Sequence, residues 1–175
     1  MWDAATLFNV LMRLVHVLTA VVLMGGTAYV RFVLLPAAAD LPEAEHQALR
    51  ERLLTRWRSI VWRGILLLLI TGFYNYLEVT APAHRGQGVY HMLMGIKILL
   101  ALGVFFLASV LTGRSPRFEP LRREARCWLM VLLVLAGIVV GIGSLLKVAV
   151  PPTTPTAPEP QPTYFHRAAP PSLVG

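Results

Sequence analysis

Ionisable residues are nearly absent from four stretches of this chain and crowd into the segments between them. The apolar runs cover about 7–36, 58–80, 90–113 and 126–147. Each approaches or exceeds the roughly 20 helical residues that cross a bilayer core of about 30 Å. Within the runs, apolar side chains go round every face instead of following one stripe, as in helices surrounded by lipid or by other helices. The pattern predicts an all-α integral membrane four-helix bundle over residues 1–150, followed by a disordered, proline-rich tail over 151–175. The tail carries Pro151, Pro152, Pro155, Pro158, Pro160, Pro162, Pro170 and Pro171, too many for a helix and suited to polyproline or irregular backbone.

The connections carry turn chemistry. Pro82, Gly86 and Gly88 mark a short second loop, which makes helices two and three antiparallel neighbours. Pro116 and Pro120 mark the third loop, between Gly113 and Arg122. In the first loop, Asp40 is placed as an N-cap, with Pro42 in the first turn and Glu43 at the capping-box position. Leu49, Leu53 and Trp57 then recur at i, i+4 spacing. That segment reads either as an amphipathic lead-in lying at the membrane surface and running into helix two, or as a solvated helical hairpin.

Composition sharpens the class. The chain is 56% hydrophobic and 14% charged, against roughly 25% charged in soluble domains. The net charge of +7 would suit nucleic acid, but its distribution excludes that partner. Arg50, Arg52, Arg56, Arg58 and Arg63 flank the start of helix two, and Arg114, Arg117, Arg122, Arg123 and Arg126 the start of helix four. The second loop has only Arg85, and the tail has Arg167 after Lys147. The positive-inside rule then puts loops one and three in the cytoplasm and both termini outside, as in a bacterial inner-membrane protein. The first run lacks a basic lead and exceeds a signal-peptide core, so it is expected to be retained. Cys127 stands alone, which excludes an intramolecular disulfide and a CxxC motif.

Candidate chemistry starts at His16, the one ionisable residue between Arg13 and Arg31. An ionisable side chain at that depth is costly and normally faces protein, a cavity or a ligand. Projection at 3.6 residues per turn places Met12, His16, Thr19, Leu23 and Thr27 on one stripe, with Arg13 beside it. The pair Gly25–Gly26 permits close approach of another helix. Thr71, Asn75 and Glu78 form a polar stripe on helix two that Gly64 continues, with Asn75 a candidate interhelical bond. Tyr90, Met94 and Lys97 share a face of helix three, and His91 lies on another. Gly137 and Gly141 on helix four make a small-residue face for packing against a neighbour, another copy or a partner subunit.

His16, Glu78, His91 and Lys97 are expected at a common outer depth, with Glu78 and Lys97 as a charge pair. Imidazole with the thioethers of Met12 and Met94, and with His91 as a further ligand, suits Cu(I). The same imidazole suits axial ligation of haem iron, with Arg13, Arg31 or Lys97 for the propionates. The residues alone leave copper and haem both open.

The segment LVHVLTAVVLMGGTAYVRFVLLP resembles the opening helix of copper resistance protein D (CopD) domains. WRSIVWRGILLLLITGFYNYL, ending in Leu69-Ile70-Thr71-Gly72, and YHMLMGIKILLALGVF, with Ile96-Lys97-Ile98, resemble the helices that follow. The resemblance implies a membrane protein of copper handling or transport, with His16 as the main ligand. The chain is also similar to HemJ-type protoporphyrinogen oxidases, which implies haem b on His16 and a need for Lys97 in activity. A non-catalytic accessory subunit is the third expectation.

Overall fold

The computed structural model describes residues 3–151, all in helices and short connections with no strand among them. The tail beyond Pro151 lies outside the described residues. Helix α1 covers Ala4–Tyr29, α2 Glu43–Tyr74, α3 Gly88–Thr112 and α4 Ala125–Ala149. With their extensions they are four helices long and apolar enough to cross a membrane. Their outward surfaces are lined by exposed Leu14, Val21, Leu66, Ile70, Leu99 and Val134, a surface suited to acyl chains and not to water. Asp3 caps α1 by accepting the Thr6 amide at 3.0 Å.

Helix α3 packs most extensively on α4, and α1 on α2; α2 also meets α3, and α1 meets α4, closing the ring. Leu107, Leu111 and Leu132 form the core of the α3–α4 contact, with Trp128 and Leu129 against them. At the arginine-rich end, Arg31 Nε donates to the Arg126 carbonyl at 2.8 Å and ties α1 to α4. At the opposite end, Gly86 takes a φ of 81°, which only glycine adopts without strain, and lets the chain turn into α3. The His84 ring stacks on Tyr90 at 3.7 Å. Its Nδ1 lies 2.9 Å from the Thr80 carbonyl and its Nε2 3.2 Å from the Val150 carbonyl, joining this turn to the end of α4.

Two features depart from the sequence pattern. Asp40 does not cap the second helix: it closes a 3₁₀ turn, Ala38–Asp40, and Pro42 occupies the N-cap position without a side-chain bond. The proline holds Leu41 extended (ψ 147°), which ends the turn before α2 begins. The Leu49–Trp57 segment does not fold as a separate hairpin but runs into helix two, as the lead-in reading expects. It is the first part of α2 itself, continuous from Glu43 to Tyr74.

The second departure is a pair of π-helical stretches, Val30–Leu34 and Asn75–Thr80. Each stands just before a proline, Pro36 or Pro82. A proline ring crowds the carbonyl four residues back and donates no N–H to it. Widening the turn relieves this, and the amides of Leu35 and Ala81 bond five residues back, to Val30 and Tyr76.

Candidate functional site

Midway along α1, the His16 ring crosses to α2. Its Nδ1 lies 2.9 Å from Thr71 Oγ1. The Thr71 hydroxyl has one proton, and it goes to the Leu67 carbonyl at 2.6 Å. Thr71 Oγ1 therefore accepts, and Nδ1–H of His16 donates. Leu68, Thr71 and Gly72 share one face of α2 at i, i+3 and i+4 spacing. Thr71 is 1% exposed, the most completely enclosed side chain described.

Gly72 makes room for the ring: a Cβ there would stand 3.1 Å from His16 Cε1 and 3.6 Å from Nδ1. The Thr-Gly pair thus supplies an acceptor and a space for one imidazole. With Nδ1 committed as a donor, Nε2 is the nitrogen left for a ligand or a proton. An imidazole oriented by a bond at its other nitrogen is how proteins set a ligating histidine.

Lys97 approaches from α3. Its half-buried side chain reaches Gly143 of α4, where a Cβ would stand 3.1 Å from Nζ and 3.5 Å from Cε. The ammonium is within Coulombic reach of His16. Among the described residues it has no hydrogen-bond or ion-pair partner; the ion pair they contain is Arg123–Glu119 at 2.9 Å. The site thus draws on all four long helices: the imidazole from α1, its acceptor from α2, the cation from α3 and the space for it from α4.

Other residues singled out in the sequence fall elsewhere. Glu78 lies in the second π-helical stretch, exposed, and forms no pair with Lys97. Arg31 is 15 residues beyond His16, about 22 Å along a helix, and its Nε is bonded to Arg126. It ties two helices and does not reach the His16 site. Arg13 is exposed. His91 stands nearer the helix end, with its Nδ1 3.4 Å from the Tyr76 hydroxyl. Met12 and Met94 are half-buried, one turn from His16 and about one turn from Lys97 on their own helices. Asn75 bonds within its own helix, to the Thr71 carbonyl at 2.8 Å, and is not an interhelical link. Among the described residues, no three His, Cys, Asp or Glu side chains gather as a metal site.

The glycine faces divide as well. Gly26 receives the Trp57 ring and Gly64 the Leu23 side chain, while Gly25, Gly137 and Gly141 meet nothing within 4 Å of a would-be Cβ. The Gly137–Gly141 face therefore packs on no helix among the described residues.

Thr71 was legible as part of a polar stripe, but its bond to His16 was not. The signal available was the Thr-Gly pair itself, an acceptor next to a missing side chain.

Fold and site together define a bundle of four membrane-length helices around a histidine–threonine pair and a lysine. No family model and no solved structure matches the chain. UPF0344 proteins from two strains of Staphylococcus epidermidis are similar to it, 26% identical over 78 residues. The match covers 45% of this chain and 57% of the length of each relative.

Proposed function

We propose that this is an integral membrane protein that holds a haem-type group through His16, with Lys97 pairing a carboxylate of that group. The carrying observation is the ring of His16, fixed by Thr71 so that Nε2 is available, beside an ammonium with no anion among the described residues. One imidazole fits axial ligation of a haem iron. A lysine without a protein carboxylate fits a propionate or a porphyrin carboxylate. When bound, such a group would supply electron transfer or redox chemistry; the protein's part is to orient the imidazole and to offset carboxylate charge in a low-dielectric setting. The similarity to HemJ-type oxidases supports the same assignment.

The copper reading of CopD-like proteins is second. The half-buried thioethers of Met12 and Met94 favour it, since soft sulfur selects Cu(I). The nearby ammonium of Lys97 disfavours it, because a bare cation beside a cation gains no attraction.

In this reading the arginine-rich end faces the cytoplasm and both ends of the bundle's chain lie outside, with Gly137 and Gly141 open to a second copy or a partner subunit. The deciding experiment is absorption and metal analysis of protein extracted in mild detergent. A Soret band that His16→Ala abolishes supports the haem reading. Stoichiometric copper without pigment, lost in the same variant, moves the assignment to copper. If neither group co-purifies and neither can be reconstituted, both readings fall and an accessory subunit remains.

A further inference from the structure

At the arginine-rich end, a cavity of about 1290 Å³ opens between the start of α2 and the α3–α4 connection. Its walls include Arg52, Arg56, Arg58, Arg114 and Arg122, against the two carboxylates Glu51 and Glu119. Glu119 is engaged by Arg123 at 2.9 Å, and Arg114 donates to Thr55 Oγ1 at 3.1 Å. Arg122 differs from the others. It is half-buried, with its Nη1 enclosed by protein and without a hydrogen-bond partner among the described residues.

We infer that this cavity is a binding site for a phosphate-bearing anion, held by the arginines of its wall. Several arginines around one opening suit a tetrahedral anion, because each guanidinium offers a planar fork of donors. The chemistry is shared by an anionic phospholipid headgroup and by free phosphate. The cavity's place where the helices emerge at their basic end suits the lipid, since basic pockets between spans at that surface hold anionic headgroups. The inference stands apart from the His16 site: loss of haem or copper would leave it untouched.

The test uses the full chain in a neutral detergent, with two probes. One is dioleoylphosphatidylglycerol in mixed micelles, read by native mass spectrometry and by the thermal midpoint. The other is inorganic phosphate, read by the same midpoint and by competition with the lipid. The expected result is lipid adducts and a raised midpoint, with affinity falling about tenfold in Arg122→Gln, the loss of one charge-assisted bond. Arg85→Gln, at the other end of the bundle, should bind as the unaltered chain does. Lipid binding without phosphate binding identifies a headgroup site; phosphate binding alone identifies a soluble anion. If Arg122→Gln fails to fold, Arg56→Gln on the same wall takes its place. Binding of neither probe, or equal binding by the wall variants and Arg85→Gln, overturns the inference.

Discussion

The Nδ1–H of His16 donates to Thr71 Oγ1 at 2.9 Å across 55 residues of chain, and the hydroxyl in turn donates to the Leu67 carbonyl at 2.6 Å. The bond fixes both the tautomer and the plane of the ring. Thr71→Val keeps the shape and removes the acceptor. It should cost about 1–3 kcal/mol, the range for a donor left unpaired away from water. Thr71→Ser should restore most of that loss. Thermal unfolding in detergent measures the cost, and the absorption of any haem bound at His16 reports the ring's orientation. A Thr71→Val protein as stable as the unaltered chain would show that the bond contributes nothing.

Adjacent glycines on α1 should behave oppositely. A methyl group on Gly26 runs into the Trp57 ring, whereas one on Gly25 meets nothing within 4 Å. The indole is rigid and packed, so Gly26→Ala should destabilise by about 1–3 kcal/mol, the usual range for overpacking. Gly25→Ala should be neutral or slightly stabilising, since alanine is the better helix former. Parallel melting curves of the two variants decide this, and equal losses would contradict the packing described.

Arg31 separates a structural tie from a ligand site. Its bond to the Arg126 carbonyl, 2.8 Å, joins α1 to α4 at the end remote from His16. Arg31→Gln should lower stability by roughly 0.5–1.5 kcal/mol, the net worth of one hydrogen bond. It should leave any His16-dependent absorption unchanged. Loss of pigment in this variant with the melting midpoint intact would place Arg31 in the site after all.

One titration can be assigned a direction. The hydrogen bond from Arg123, and then its charge, hold the Glu119 carboxyl below the ordinary value. A folded-state value below the unfolded one stabilises at pH above the unfolded value, and that gain is lost as pH falls through the folded one. The pair is exposed, so its effect on global stability should be slight. Carboxyl NMR titration should show Glu119 titrating low, and moving up toward its ordinary range in Arg123→Gln.

The polar stripes show where sequence reasoning stopped. Projection at 3.6 residues per turn placed Met12, His16, Thr19, Leu23 and Thr27 on one face of α1. The structure agrees: Leu23 packs at Gly64, His16 at Gly72, and Thr27 is buried. The same projection carried Glu78 into line with Thr71, and there it failed. Between them the helix widens into the π-helical stretch Asn75–Thr80, and each added residue turns the following faces by about 100°. Pro82 was visible as a turn residue, but its effect on the helix before it was not. Lys97 could be read as deep and expensive; that it would turn to Gly143 could not.

By itself the sequence determined the four membrane-length helices, the absence of a soluble domain's charge density, the basic bias to one end and the isolation of His16. These follow from local composition and length, which a helix in apolar surroundings must satisfy wherever its neighbours lie. Tertiary structure decided which polar groups meet: His16 with Thr71 and Gly72, Lys97 with Gly143, Arg31 with Arg126. Such meetings depend on the rotation and vertical offset of each helix against the next. Those are set by side chains interlocking across helices and by the π turns ahead of Pro36 and Pro82, not by the order of residues in any one span.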